Sequence, residues 1–166
     1  MQQINEYHKS NLIKLADYLE SLPDNYDRFT MCYYAFKSSK YSTNYLIMPT
    51  ITAKEIPCGT VACAVGHGPS AGIKIPFRMM DRYQSISDDL NTTDIDIGCF
   101  WTDYSVEVFG FSKYSEEWYW CFSDLWHKSD DTPKGAAKRI RHVLTHGVPD
   151  KFNKEYMSSY KKKLYE

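Results

Sequence analysis

Apolar residues recur at helical spacing near the N-terminus of the chain. In "SNLIKLADYLESL", residues 10–22, leucines follow one another at intervals of three or four positions, a pattern typical of an amphipathic helix. Ser10 or Asn11 is placed to cap the first amides of this helix, and Pro23 ends it. The segment "FWTDYSVEVFG" repeats the spacing with aromatic side chains and predicts a second, short helix that ends at Gly110.

The C-terminal third of the chain carries two further helix patterns. Ser115 precedes two glutamates and an apolar face, which predicts a helix in "SEEWYWCFSDLW", residues 115–126. In "TPKGAAKRIRHVLTHG", Thr132 is the predicted cap, Pro133 the first helical residue and Gly147 the end. The charged positions predicted to face outward on this last helix are Lys138, Arg139 and Arg141.

Two stretches lack a helical pattern. Residues 29–48 are aromatic and β-branched around a polar centre, which fits either a β-hairpin or a loop between short elements. The stretch "SISDDLNTTDIDIG", residues 85–98, is acidic and predicts an exposed loop or a short hairpin through "DIDIG".

The segment "PCGTVACAVGHGP", residues 57–69, concentrates small apolar residues, glycines, two cysteines and a histidine. Pro57 disfavours a helix before it, and the side chains that follow are apolar on every side of the predicted helix. A helix without a polar face is a buried helix. The sequence therefore predicts a buried central helix near 60–67, ended by the glycines and the proline that follow.

Together these patterns predict a mainly α fold, with α+β as the alternative. We expect a single compact helical domain over residues 1–150, packed around the central helix, with a minor β-hairpin component. Residues 151–166 are expected to form a basic C-terminal tail or a short helix. The three lysines in this tail support no more than a weak, salt-sensitive attraction to an acidic partner.

Composition and charge narrow the classes of protein. The chain of 166 residues has a net charge of −1, so the basic footprint of a nucleic-acid-binding protein is missing. No apolar run reaches the roughly 20 residues that span a bilayer, and the N-terminus lacks the pattern of a secretory signal. The five cysteines, an odd and unpatterned set, are expected to be reduced thiols in the cytoplasm. The 14 tyrosines, 8 phenylalanines and 4 tryptophans suit a dense core and also a binding surface.

Candidate chemistry is concentrated in the central segment. Cys58 stands at the start of the predicted helix, where free amides and the helix dipole favour a thiolate. Thr60, Cys63 and His67 fall at i, i+3 and i+7 and would share one face of that helix. The sequence favours the interpretation that these cysteines are buried and structural. The alternative is a catalytic pair, with Cys58 or Cys63 as the nucleophile and His67 as the base. The candidate ligand-binding residues are Cys58, Gly59, Thr60 and His67.

Metal and phosphate chemistry have weaker support. Zinc sites usually pair ligands two to four residues apart and repeat the pair, which the central segment does not do. Cys121 with His127, or His142 with His146, would add ligands only through the tertiary fold, and histidine is in any case favourable near a helix C-terminus. No glycine-rich phosphate loop is present in the sequence. We therefore predict no metal and no cofactor.

Several segments follow one another in a recognisable order: "NLIKLADYLESLP", "FTM", "CGTVACAVGHGP", "FGFS" and "DDTPKGAAKRIRHVLTHG". This order resembles a set of small phage and bacterial proteins of unassigned function, which share an LA..L helix, a CGTxxCxxGxA-type segment, an FGLS-type helix start and a TPxxAAxRI helix. The likeness spans most of the chain. The departures are Gly68, where alanine is common in those proteins, and a longer acidic stretch over 82–97. The resemblance implies a compact intracellular protein encoded by a phage or prophage, and it carries over no catalytic residue.

These observations favour a phage-type intracellular interaction protein without catalysis. It would bind an unidentified host or phage macromolecule in the bacterial cytoplasm, in a counter-defence or host-takeover role. Neither a nucleic acid nor a membrane is predicted as a partner. Two alternatives remain: a small-ligand or nucleotide-binding module that uses the N-terminus of the 58–67 helix, and an enzyme that depends on cysteine and histidine.

Overall fold

The computed structural model describes residues 4–23, 26, 29, 35–39, 42–46, 60–88, 94–123 and 130–152 of the chain. Helices make up most of this part: α1 (Glu6–Ser21), α2 (Met80–Asp88), α3 (Asp94–Phe109), α4 (Glu116–Phe122), α5 (Pro133–His146) and the single turn α6 (Asp150–Phe152). A 3-10 turn over Phe77–Met79 leads into α2, and the strands are β1 (Ala35–Ser39), β2 (Ser42–Leu46) and β3 (Thr60–Ala62). The mainly α fold predicted from the sequence is confirmed.

The strands form one small antiparallel sheet in the order β2-β1-β3. In the central strand, Lys37 lies opposite Leu46 of β2 and opposite Thr60 of β3. The minor β component expected over 29–48 thus takes the form of the paired strands β1 and β2. The central segment contributes the third strand.

Helix α1 packs against α5 and α3 through the apolar face that the leucine spacing predicts. Leu12, Leu15, Ala16 and Leu19 are all fully buried. Burying a leucine side chain completely is favourable by about 1.5–3 kcal/mol, so this face holds α1 in the core.

The N-terminus of α1 differs from the prediction of a cap at Ser10 or Asn11. The helix begins before both residues, and the side chain of Asn5 accepts a hydrogen bond from the amide of His8 at 2.9 Å. The first turn of α1 is mainly polar, so the spacing of apolar residues in the sequence does not show that the helix begins there. Asn11 is buried instead, and its side-chain amide donates to the carbonyl oxygen of Val108 in α3 at 2.9 Å.

Helices α2 and α3 occupy most of the acidic stretch predicted as an exposed loop or hairpin, so that prediction is wrong. Tyr83 of α2 is 1% exposed, and its ring centroid lies 5.4 Å from that of Phe100 in α3. The burial of this tyrosine holds α2 against α3. The segment "DIDIG" lies at the start of α3. A stretch with the composition of a solvated loop is therefore a helix start.

The predicted end of α3 and the predicted start of α4 are confirmed. Gly110 ends α3 with a φ of +75°. The hydroxyl of Ser115 accepts a hydrogen bond from the amide of Trp118 at 3.2 Å and so caps α4. Helix α4 ends at Phe122, and the remainder of the helix predicted over 115–126 lies mainly outside the described residues.

Helix α5 begins and ends as predicted, but one of its charged residues does not face outward. Thr132 accepts a hydrogen bond from the amide of Gly135 at 3.0 Å, and Gly147 ends the helix. Arg139, predicted to be exposed, is only 6% exposed. Its Nη1 donates to the backbone carbonyl oxygen of Asp130 at 2.6 Å, which draws the guanidinium back towards the start of α5.

The last described helix, α6, packs against α4 through a buried aromatic contact. Phe152 of α6 is 1% exposed, and its ring centroid lies 5.3 Å from that of Trp120 in α4. Nearly all of the basic tail predicted over 151–166 lies outside the described residues.

Candidate functional site

The structure places the described members of the predicted site in two different settings. Cys58 and Gly59 lie outside the described residues. Thr60 is the first residue of β3, whereas Cys63 and His67 lie in a series of turns that follows the strand. Thr60, Cys63 and His67 therefore do not share a helix face, and the predicted central helix is wrong.

Backbone hydrogen bonding explains why residues 60–67 do not form a helix. Thr60–Ala62 pair with β1 and so commit their backbone groups to the sheet. The amide of His67 then donates to the carbonyl oxygen of Cys63 at 3.1 Å, as in one helical turn. Pro69 has no amide proton with which to continue the pattern, and the flanking glycines favour turns. The turns before Pro69 are nonetheless buried, as the apolar composition predicts.

The imidazole of His67 is 2% exposed and lies among three aromatic rings. The ring centroids of Tyr18, Tyr26 and Phe29 are each 5.8 Å from it, and Phe29 stacks almost parallel to it, at 9°. Because Tyr18 belongs to α1, the histidine connects the turn segment to the first helix. Burial, followed by the proximity of Tyr26, raises the pKa of the Tyr18 hydroxyl, so this group stays neutral.

This burial weighs against both chemical hypotheses for the central segment. Cys63 and His67 are each 2% exposed, so a dissolved substrate does not reach either side chain in this structure. The ligand-binding hypothesis needs a helix N-terminus at Thr60, and strand β3 lies there instead. The geometry of the described residues supports a packing role for the segment.

Gly68 allows the turn segment to approach α3 closely. A β-carbon at this position would lie 2.5 Å from the hydroxyl oxygen of Tyr104 and 3.0 Å from its ring. Tyr104 is fully buried, and its hydroxyl donates to the carbonyl oxygen of Ile73 at 2.9 Å, which restrains the ring. This contact accounts for the glycine at position 68.

We expect Gly68→Ala to lower the free energy of unfolding by about 1–3 kcal/mol, because the added methyl group overpacks a closed contact. Tyr104→Phe removes the nearest clashing atom, so the double variant should lose less than the sum of the two single losses. Denaturant unfolding of the three variants measures this coupling. Simple additivity would show that the methyl group is accommodated without touching Tyr104.

Among the described residues, no three histidine, cysteine, aspartate or glutamate side chains converge to hold a metal ion. Cys121 is fully buried, and this burial raises the pKa of its thiol well above the usual range. The thiolate that a metal needs is therefore disfavoured. His127 lies outside the described residues. His142 and His146 do come together on α5, with ring centroids 4.9 Å apart.

The most exposed aromatic side chain of the described residues is absent from the sequence-based candidates. Phe77, in the 3-10 turn before α2, is 93% exposed. The amide of Met79 donates to the carbonyl oxygen of Pro76 at 2.8 Å, so the ring is carried by a hydrogen-bonded turn. The signal in the sequence is the phenylalanine of "IPFRMM", between a proline and an arginine. Nothing in that stretch indicates which side of the chain faces solvent.

Ion pairs between α3 and the segment that contains Phe77 form a short ladder. Arg78 pairs with Glu107, and Arg82 pairs with Asp103 at 2.6 Å. The two arginines are four positions apart, and so are the two carboxylates, so the pairs lie one helical turn apart. The ladder connects the Phe77 turn to α3.

The ladder leads to a second exposed aromatic ring. Lys113 Nζ lies 3.9 Å from the carboxylate of Asp103 and 5.2 Å from the ring centroid of Tyr114. Tyr114 is 51% exposed. We call the residues linked by these pairs, together with Phe77 beside Arg78 at one end and Tyr114 beside Lys113 at the other, the aromatic face. Its charged members are Arg78, Arg82, Asp103, Glu107 and Lys113.

Comparisons of the chain with protein-family models, with curated proteins and with solved structures return no match. Within the described ranges, no helix combines the length and the apolar character needed to cross a membrane.

Proposed function

We propose that this protein binds another protein through the aromatic face, with Phe77 as the anchor. The observation that carries the proposal is the 93% exposure of Phe77 on a hydrogen-bonded turn. Moving a phenylalanine side chain from water into an apolar pocket is favourable by about 1.5–3 kcal/mol. In protein interfaces, a few central side chains of this kind contribute most of the binding energy.

The ion-pair ladder prepares the anchor for binding. Arg78 with Glu107, and Arg82 with Asp103, hold the turn against α3 before a partner arrives. An anchor that is already ordered loses less conformational entropy on binding. As exposed pairs, each contributes only about 0–1 kcal/mol to the stability of the fold. Their position around an apolar anchor is typical of the polar rim of an interface.

The charges of the aromatic face favour a protein over a nucleic acid as the partner. Arg78 and Arg82 are each paired with a carboxylate, so a phosphate group would have to displace an acidic side chain. The whole chain also carries a net charge of −1. The face has three basic and two acidic groups, which suits a partner with an apolar pocket and a mildly acidic rim.

The resemblance to small phage and bacterial proteins supports placing this role in the bacterial cytoplasm. The partner is then a host or phage protein, and the biological role of the binding is counter-defence or host takeover. The proposal requires no catalytic step.

The variant Phe77→Ser tests the proposal. In quantitative capture from a lysate of the bacterium that carries the gene, the wild-type protein should retain a partner that this variant loses. With that partner purified, the dissociation constant should rise at least about tenfold, since losing the anchor removes about 1.4 kcal/mol or more. The melting temperature should not change, because the ring is exposed in the unbound protein.

Ile13→Ser is the matched control. Ile13 is an apolar residue of α1, is 38% exposed, and lies outside the aromatic face. This variant should retain the partner that Phe77→Ser loses. Equal losses in both variants would indicate non-specific adhesion, and unchanged capture by Phe77→Ser would reject the aromatic face as the binding surface.

A further inference from the structure

We infer that His142 and His146 form a binding site for a divalent transition-metal ion at the C-terminal end of α5. The two residues are four positions apart, so they lie on the same face of the helix. Their ring centroids are 4.9 Å apart, and the ring planes are only 22° from parallel. His146 is exposed and His142 is partly exposed, so a dissolved ion can reach both rings.

The hydroxyl of Thr145 is placed to orient the ring of His146 towards a metal ion. The threonine hydroxyl oxygen lies 3.0 Å from the carbonyl oxygen of Arg141 and 3.3 Å from that of His142. The same hydroxyl oxygen lies 2.6 Å from Nδ1 of His146. In the tautomer that carries its proton on Nδ1, the ring donates to this oxygen while the hydroxyl donates to one of the two carbonyl oxygens. The lone pair of that tautomer is on Nε2.

This arrangement is the one that metal-binding histidines use. A metal-ligating imidazole usually donates its other N–H to a nearby acceptor, which fixes both the tautomer and the ring orientation. With the proton of His146 on Nδ1, the Thr145 hydroxyl is that acceptor. Thr145 is thus a positioning residue for the site.

The second ligand is held by packing. The ring centroid of His142 lies 5.9 Å from that of Trp120 in α4, and the His146 ring lies on the same helix face one turn further on. A metal ion binds at about 2.1 Å from each imidazole nitrogen, and two imidazoles one helical turn apart on one face are close enough to share an ion. The negative end of the α5 dipole, which lies at His146, adds a favourable field for a cation.

The ligand set indicates which ions this site takes. Two imidazoles supply part of the coordination sphere and water supplies the rest. Imidazole nitrogen suits Ni²⁺, Cu²⁺ and Zn²⁺, whereas Mg²⁺ prefers oxygen ligands. The affinity should rise in the order Mn²⁺, Co²⁺, Ni²⁺. The site is separate from the aromatic face, so its test does not depend on the proposed protein partner.

Titration of the full chain with NiCl₂ tests the inference. We expect one nickel ion to bind per chain in calorimetry, and the melting temperature to rise with NiCl₂ and to return to its metal-free value on addition of EDTA. His142→Gln and His146→Gln should each lower the affinity at least about tenfold, and Thr145→Val should lower it roughly tenfold. Paramagnetic broadening of the two imidazole proton resonances should place the ion at this pair.

His8→Gln is the matched control, because His8 lies on α1 with no histidine one helical turn away. It should bind nickel as the wild type does. Thermal unfolding without metal checks that each variant folds. If His142→Gln is unstable, the exposed positions 145 and 146 still decide the question. The inference is overturned if nickel does not bind, if His146→Gln binds it as well as the wild type, or if MgCl₂ competes equally.

Discussion

An alanine at position 110 is expected to lower the free energy of unfolding by about 2–5 kcal/mol. Gly110 ends α3 in the left-handed conformation, with a φ of +75°, which costs a residue with a β-carbon about 1–2 kcal/mol. A β-carbon there would also lie 2.3 Å from Nδ1 of His8, so the methyl group overpacks the contact with α1. Overpacking of this kind adds about 1–3 kcal/mol. Denaturant unfolding of Gly110→Ala measures the sum.

Gly72 separates the two contributions. It has a φ of +79°, but nothing lies within 4 Å of the place where its β-carbon would be. Gly72→Ala should therefore cost only the conformational part, about 1–2 kcal/mol. Adding His8→Ala to Gly110→Ala should recover the part due to the contact. If the two glycine variants lose the same stability, the His8 ring moves aside freely and the contact contributes nothing.

Elements whose causes lie within a few residues could be predicted from the sequence. Thr132 accepts a hydrogen bond from the amide of Gly135, only three residues later, and Gly147 directly follows the last residue of α5. The start and the end of α5 are therefore both visible in one short stretch of sequence. The leucine spacing of α1 is local in the same way. Helix α2 depends instead on the burial of Tyr83 against Phe100, and no local pattern marks that contact.

For the central segment, the amino-acid composition predicts burial correctly but does not predict the secondary structure. Small apolar residues predict burial, and the structure buries the turns from Cys63 to Gly68. Burial alone does not distinguish a helix from a strand followed by turns, because either can be covered on every side. The pairing of Val61 with Phe36 of β1 decides the matter, and that partner lies far earlier in the chain.

The same distinction between local and long-range causes applies to the candidate sites. The proximity of His142 and His146 follows from a spacing of four on a helix, so the sequence contains it. The orientation given by Thr145 depends on side-chain conformation and appears only in the structure. The exposure of Phe77 depends on how its turn lies against α3, which the residues around it do not encode.

The largest effect on stability is expected from His67→Ala. The imidazole is 2% exposed, and its loss would leave a cavity among Tyr18, Tyr26 and Phe29. Removing a buried ring typically costs about 3–5 kcal/mol. For a chain of this size, the melting temperature should fall by about 6–20 °C. A histidine that served catalysis alone could be replaced with little change in stability.

Two further variants separate packing at position 67 from a general effect of losing a histidine. His67→Phe keeps a ring among the three aromatic side chains and should recover much of the stability that His67→Ala loses. His146→Ala, at an exposed position and in metal-free buffer, should change the free energy of unfolding by no more than about 0.5 kcal/mol. Thermal unfolding at neutral pH compares all three variants with the wild type. A His67→Ala protein as stable as the wild type would contradict the packing role and restore His67, with Cys63, as a catalytic candidate.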